Sequence, residues 1–496
     1  MSKRLRLAAF IAAGVSVIFS THAENPYGIP ENIQDGNIMH CFDWKFADII
    51  EELPRIAEAG FGSVQVSPVQ GNAGENAEWF YAYMPYDFAF MANGNGTREE
   101  LKELCDKAEE YGIKVIVDVV ANHINSHPSY RNLWWSEGDR ERYNGWINYS
   151  SRHSITHNQL GDYGDVNSES EEVQQRARAF IEDLKSIGVD GIRWDAAKHI
   201  GLPSEGCNFW PVVTSVEGLW HYGEILDNPA GSNASNEEKY RLLNEYAKYM
   251  SVTDNEYAST SLSSVKSWIL PSKAGNLSEG VPASKLVYWG ESHDTYSNDG
   301  GATKGTMQAR IDRVYMLSAC RDGATALYFS RPPYEGRTEI RMGQKGSVHC
   351  LEAPEIAAVN KFRNAMTGRA EAFTRSTGSK GCICITRKDG GVFILGKKNA
   401  AQNVEGENGM GYMPEGTYKD ALTGTDFIVT PTTITGRVGS TGVAVLYADG
   451  MSAVDDITYE NNTFTEYYDL MGRRVENPQH GIYIRRTGNN VEKVIL

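Results

Sequence analysis

The sequence predicts an α/β protein: a (β/α)8 TIM barrel with a subdomain inserted after its third strand, followed by an all-β C-terminal domain and a small β-like tail. Three observations predict it. From about Asn37 to Gly368, short apolar runs rich in β-branched residues alternate with amphipathic helical stretches, the pattern of a parallel sheet covered by helices. One connection, 124–168, is too long and too polar for a simple crossover, and long loops after barrel strands usually carry function. After about Arg369 the texture turns to short alternating strands with Gly-rich turns, as in GCICITRKDGGVFILG.

The candidate strands are IMHCF near Met39, SVQV near Val64, KVIVDVV around Val117, GIRWD around Ile192, LWHYGE around Tyr222, KLVYWGE around Val287 and TALYF around Leu327. Helical patterns sit between them. In EELKELCDKAEEYG, Leu101, Leu104, Cys105 and Ala108 recur at helical spacing and Gly112 is placed to stop the helix. The predicted domains are a signal segment 1–23, a barrel 24–368 containing the inserted subdomain 124–168, a β domain 369–450 and a tail 451–496.

MSKRLR, the apolar stretch Leu7 to Phe19, and Thr21, His22 and Ala23 before Glu24 have the basic flank, short apolar run and small residue of a cleaved secretory signal. The run is shorter than the roughly 20 residues that cross a bilayer. The expectation is therefore a secreted or cell-surface protein with no integral membrane segment once the signal is removed. Export would permit disulfides among the seven cysteines, but their odd number leaves at least one unpaired, and their scatter lacks the spacings of a zinc site. Cys382 and Cys384, on an alternating strand, read as buried small apolar residues. A formal charge of -16 without a Lys/Arg cluster disfavours nucleic acid as a partner and leaves room for a neutral substrate. The protein is expected to act as a monomer.

Three acids stand at strand ends: Asp195 closes GIRWD, Glu224 closes LWHYGE, and Asp294 follows KLVYWGE. All three should project at the carboxyl rim of a barrel. A nucleophilic carboxylate facing a protonated carboxylic acid is what glycoside hydrolysis needs. Arg193 shares a strand face with Asp195 and can favour its charged form. Lys198 and His199 follow on the same segment, His293 stands beside Asp294, and His123 adds a donor at a further strand end. Any one acid alone would more often be a helix cap or a surface charge.

DVVANH at 118–123, GIRWDAAKH at 191–199, GEIL at 223–226 and SHD at 292–294 resemble, in order, the four motifs of the α-amylase family, glycoside hydrolase family 13. EEYGIKVIVDVVANH, GEILDN, ESHDTYSND and LYFSRP are similar to the secreted saccharifying amylases of bacilli. The resemblance implies an endo-acting hydrolase of α-1,4-glucans with Asp195 as nucleophile, Glu224 as general acid and then base, and Asp294 as transition-state stabiliser. It further implies substrate contacts from Trp79, Phe80, Tyr83, His123, Leu160, Arg193, Lys198, His199 and His293. A structural Ca2+ is implied too, held by Asn122, Asp165 and the main-chain carbonyls of Thr156 and His199. Two positions depart from the family: Met84 stands where a Gln is usual, and Ser292 where many members carry Asn, so no chloride site is expected. GRRVENPQHGIYI in the tail resembles type IX secretion sorting domains, although it also reads as a plain β module. Another α-glucan hydrolase, or a glucan-binding protein without catalysis, remains open at this point.

Overall fold

The computed structural model describes residues 25–71, 77–266, 280–375, 381–396, 401–448, 465–468, 475, 481–487 and 490–495. The predicted signal segment and most of the predicted tail lie outside the described residues. Two units organise the chain: one is drawn from the described parts of Met1–Ala258, Ser278–Gly305 and Gly323–Ala353, the other from those of Ser259–Leu277, Thr306–Asp322 and Pro354–Leu496.

The strands of the first unit are β1 (Asn37–Cys41), β2 (Ser63–Val66), β3 (Lys114–Val120), β4 (His123–Ile124), β5 (Glu141–Arg142), β6 (Gly164–Val166), β7 (Gly191–Asp195), β8 (Trp220–Gly223), β9 (Ser251–Thr253), β10 (Leu286–Trp289) and β11 (Thr325–Phe329). Along the chain the helices are α1 (Phe46–Glu58), α2 (Arg98–Glu110), α3 (Arg152–His157), α4 (Glu171–Ser186), α5 (Phe209–Val213), α6 (Asn236–Tyr246), α7 (Asn255–Lys266), α8 (His293–Ser297), α9 (Gln308–Ala319), α10 (His349–Glu352) and α11 (Pro354–Ala365).

Eight strands close a parallel barrel in the order β1, β2, β3, β7, β8, β9, β10, β11, with β11 pairing back onto β1 through Asn37 and Ala326. Strands covered on both faces must be apolar nearly throughout, which is why β3, KVIVDVV, is buried from Val115 onward. Ile38, Ile116, Tyr222, Val287 and Leu327 belong to one buried cluster of the barrel. The Tyr222 hydroxyl, buried with them, donates to Gln65 Oε1 and so is not left unpaired.

Seven of the eight barrel strands coincide with the apolar runs named above. β9 does not. It has three residues, Ser-Val-Thr, and its place is set by pairing with Tyr222 and Gly223 on one side and Leu286 and Val287 on the other.

α2 shows how local sequence sets an element. Thr97 accepts from the Glu100 amide while the Glu100 carboxylate accepts from the Thr97 amide, a reciprocal cap that satisfies two otherwise orphaned donors. Leu101, Leu104, Cys105 and Ala108 form its buried face. Gly112, at φ +73, turns the chain out of the helix into β3.

Within the long polar connection, β4, β6 and β5 form a three-stranded antiparallel sheet in that order, pairing His123 with Asp165 and Arg142 with Asp165. This places Asp165 between the end of the β3 segment and the middle of the insertion.

In the second unit, β12 (Glu371–Arg375), β13 (Cys382–Arg387), β14 (Gly390–Leu395), β15 (Gln402–Glu407), β16 (Gly416–Lys419), β17 (Asp426–Val429), β18 (Thr433–Val438) and β19 (Val443–Tyr447) build two antiparallel sheets, β12-β13-β14-β19 and β15-β18-β17-β16. Cys382, Cys384, Phe393, Phe427, Ile434 and Leu446 share their core. β20 (Thr465–Tyr468), β21 (Ile482–Thr487) and β22 (Asn490–Ile495) form a further small antiparallel sheet. All seven cysteines are free and buried, so the disulfides that export would allow are not formed. No helix among the described residues is long and apolar enough to cross a membrane.

Candidate active site

Asp195 is the last residue of β7, Glu224 directly follows β8, and Asp294 lies in the first turn of α8 after β10. Three strand ends of one barrel thus bring together acids separated by up to a hundred residues of chain. α8 is started by Ser292, whose hydroxyl accepts from the Thr295 amide while Thr295 Oγ1 accepts from the Ser292 amide. That cap fixes the turn from which His293 and Asp294 project.

Arg193 organises the cluster. Its Nη1 is 2.7 Å from Asp195 Oδ1 and 2.8 Å from Asp118, and its Nη2 is 3.0 Å from Glu224 Oε1. Burial opposes a charge on this guanidinium, but Asp118, Glu224 and Asp195 outweigh it and hold it protonated. One positive charge therefore faces three carboxyl groups.

The imbalance appears in the acids. Burial pushes Glu224 up, with Asp195 and Asp294 adding to the rise and Arg193 opposing it. Burial also raises Asp294, reinforced by Asp195. Asp118 is pushed up to about 7, again by burial first, against the pull of Arg193. Glu224 Oε2 additionally accepts from the amide of Ala196, which sits at φ +48 immediately after β7. The tight turn after Asp195 thus points a backbone donor at Glu224.

Aromatic rings set the remaining side chains. His293 is stacked between Phe42, at 5.1 Å between ring centroids, and Tyr83, at 4.8 Å. Burial, with Arg193 nearby, lowers His293 to about 4, so it enters the site as a neutral ring. Tyr83 donates its hydroxyl to Asp118 Oδ2 at 3.0 Å, and its carbonyl lies 2.9 Å from His123 Nε2. Asn298 donates to Asp294 Oδ1 at 2.7 Å.

These groups line a cleft of about 450 Å³. Asp195, Glu224, Asp294, Trp79, Phe80, Tyr83, His123, Leu160, Lys198, His199 and His293 all border it, and Arg193 lies beneath. Lys198 donates to the Leu226 carbonyl at 2.7 Å and lies over the Tyr149 ring, while burial lowers its affinity for a proton. The sequence reading missed Tyr149, Tyr163, Leu226, Asp227 and Arg337, which also line the cleft, and the role of Asp118 beneath it. Asp118 had a signal, an acid inside an otherwise apolar central strand. The others sit on loops whose composition gives none.

Of the residues expected to hold calcium, Asn122 lies beside the β6 segment that carries Asp165, its carbonyl accepting from the Val166 amide at 2.9 Å. Asn122 and Asp165 are each 1 % exposed. Asp165 Oδ2 is buried and accepts no hydrogen bond, Asn122 Nδ2 has no partner, and burial pushes Asp165 up to about 8. Arg142 is 3.9 Å from Asp165 and reaches the Thr156 carbonyl at 3.4 Å. His199 Nδ1 is bonded to the Ile155 carbonyl at 3.0 Å, which ties α3 to the segment after β7. A buried carboxylate oxygen without a donor, beside an amide and main-chain carbonyls, fits a hard cation. No group of three or more His, Cys, Asp or Glu suited to a metal occurs among the described residues, so such a site rests on one carboxylate and neutral oxygens.

A closed parallel barrel with acids gathered at the carboxyl ends of its strands defines the class: a (β/α)8 barrel whose site is built from the rim. Residues 29–274 match the family described as alpha amylase, catalytic domain. The chain is 30% identical over 463 residues to an alpha-amylase of Clostridium acetobutylicum, covering 86% of this chain and 56% of that protein. It is 30% identical over 509 residues to an alpha-amylase of Butyrivibrio fibrisolvens, covering 89% of this chain and 50% of that protein. The chain thus spans about half the length of these curated relatives. An alpha-amylase from Malbranchea cinnamomea shares the fold with a TM-score of 0.65 at 17% identity, over 86% of this chain and 99% of that one. The alpha-amylase from Geobacillus thermoleovorans complexed with acarbose does so at 0.63 and 16%, over 84% and 98%.

Proposed function

We propose that the protein is an endo-acting α-amylase that hydrolyses α-1,4-glucosidic bonds in starch, glycogen or maltodextrins with retention of configuration. The observation that carries this reading is the shared guanidinium. Arg193 touches Asp195 with one nitrogen and Glu224 with the other, so two carboxyl groups stand close together with Glu224 biased towards its protonated form. A short separation and unequal protonation are the requirements of a retaining glycosidase.

In this mechanism Asp195 attacks the anomeric carbon as Glu224 protonates the departing glycosidic oxygen. Glu224, now ionised, then takes a proton from water, whose oxygen displaces Asp195 from the sugar and restores both acids. Asp294, fixed by Asn298, accepts hydroxyls of the sugar and faces the positive charge that develops at the anomeric centre. Neutral His293 donates to a sugar hydroxyl, His123 holds the Tyr83 carbonyl through its Nε2–H, and Tyr83 and Trp79 offer rings for stacking. Asn122, Asp165 and the carbonyls of Thr156 and His199 would hold a Ca2+ that neutralises the buried carboxylate and braces the insertion at the edge of the cleft.

The resemblance to saccharifying amylases of bacilli, an amino-terminal segment that reads as a cleaved signal and a tail that resembles sorting domains support export, and amino-terminal sequencing of the protein from culture medium tests it. Product analysis on soluble starch tests the activity. An endo-amylase releases mixed maltooligosaccharides early, and Glu224→Gln slows their release by about 10²–10⁴. A wild-type protein that releases nothing from starch overturns the reading.

A further inference from the structure

Asp294 has a support that does not border the cleft. Glu291, between β10 and α8, is 2 % exposed, and its carboxylate accepts from Arg331 twice: Nε stands 2.7 Å from Oε2 and Nη2 2.8 Å from Oε1. The face of the same guanidinium covers the Tyr296 ring, with Cζ 4.7 Å from its centre. Glu291 precedes Asp294 by three residues and Tyr296 follows it by two, so one arginine grips the chain on both sides of the acid. Burial opposes a charge on Arg331, but Glu291 outweighs it. A guanidinium bonded bidentately through its edge and stacked through its face has little freedom left.

Arg331 itself starts from a fixed point. The Ser330 amide donates to the His40 carbonyl of β1 at 3.1 Å, the Ser330 hydroxyl to the Ser347 carbonyl at 2.7 Å, and the Ser347 amide to the Arg331 carbonyl at 2.8 Å. The seam where β11 closes the barrel against β1 thus sets the base of the arginine, and the arginine sets the turn that carries His293 and Asp294. Asn298, which bonds Asp294 Oδ1, caps the same short helix, so it travels with the acid and cannot place it relative to the barrel. We propose that Arg331 is a positioning residue: acting through Glu291 and Tyr296, it registers the Asp294 carboxylate against Asp195 and Glu224 at the rim. The proposal rests on the role given to Asp294 above. Because Asp294 faces charge that develops only as the bond breaks, displacing it costs kcat more than KM.

The test measures kcat and KM on maltoheptaose and on α-maltotriosyl fluoride for wild type, Arg331→Lys and Arg331→Met, and for Asp294→Asn with and without Arg331→Met. Thermal midpoints are recorded, and rates are taken well below them. In Arg331→Met kcat is expected to fall about ten- to hundredfold with KM within about twofold of wild type. Arg331→Lys, which keeps the charge and loses the fork, should fall less. In the Asp294→Asn background Arg331→Met should change fluoride release by less than about twofold, because two substitutions that act through one group do not add. A lowered midpoint with kcat per folded molecule unchanged, or an equal loss of rate in both backgrounds, overturns the proposal and leaves the α-amylase reading standing. If Arg331→Met does not fold, Arg331→Lys decides both comparisons. A wild-type protein that cleaves neither substrate overturns the role of Asp294 and the proposal together.

Discussion

Nη2 of Arg193 stands 3.0 Å from Oε1 of Glu224, although Glu224 is the acid that the proposed reaction needs protonated. The contact pulls Glu224 down, and burial with Asp195 and Asp294 pushes it up by more. The net rise decides its role. Arg193 is therefore a clamp that holds the geometry of the acids without discharging the proton that the reaction spends.

Removing that clamp should damage the fold as well as catalysis. Arg193→Met leaves Asp118, Asp195 and Glu224 buried around an apolar side chain. Breaking a buried ion pair on one side costs roughly 3–5 kcal/mol. Denaturant titration at pH 7 should show a loss of that order, and it should shrink at pH 5 as the acids take up protons. An equal loss at both pH values would show that the carboxyl groups are not what the arginine compensates.

The raised Glu224 also shapes the pH profile. Activity requires its protonated form, so kcat/KM should fall on the alkaline side with a midpoint above the ordinary glutamate value, because burial raises this group. The stability linkage has the matching sign. A carboxyl whose folded value is raised binds its proton more tightly in the folded state, so its contribution to stability is lost as pH climbs from the ordinary value through the raised one. Glu224→Gln should remove that part of the pH dependence of unfolding while lowering kcat by about 10²–10⁴. An alkaline limb that persists in the residual activity of Glu224→Gln would assign it to another group.

Calcium should act on the insertion through Asp165. At a concentration a hundred times its dissociation constant, a ligand that binds only the folded state stabilises it by about 2.7 kcal/mol. Differential scanning calorimetry with excess CaCl2 and with chelator should therefore give separate midpoints for wild type, and the gap should close in Asp165→Asn. The same gap in both proteins would move the metal away from Asp165.

The cap of α2 offers a check on the scaffold alone. Thr97→Ala removes the hydroxyl that accepts from Glu100 and should cost about 1 kcal/mol, with kcat and KM on starch unaffected. Thermal unfolding measures it, and a neutral result would mean that Glu100 caps the helix unaided.

Much of the fold is legible because burial on both faces forces β3, β10 and β11 to be nearly all apolar, so that an acid at a strand end stands out against its surroundings. β9 escapes because three residues that include Ser and Thr carry no periodicity, and closure of the barrel, not their own preference, makes them a strand. Asp195, Glu224 and Asp294 are visible for their place at strand ends. Tyr149, Tyr163 and Arg337 are not, because only the return of distant loops to the rim brings them to the cleft. Asn122 and Asp165 look like ordinary turn formers along the chain, and the resemblance alone singles them out. The structure adds that Asp165 Oδ2 is buried and accepts no hydrogen bond.

The central claim is that Asp195 becomes covalently bonded to the sugar. Intact-protein and peptide mass spectrometry of Glu224→Gln incubated with α-maltotriosyl fluoride tests it most directly, since fluoride needs no acid to leave and the missing base slows hydrolysis of the intermediate. The account predicts one maltotriosyl adduct, located on Asp195 and absent from the Asp195→Asn, Glu224→Gln double variant. An unmodified protein that still releases fluoride, or an adduct on another residue, would contradict it.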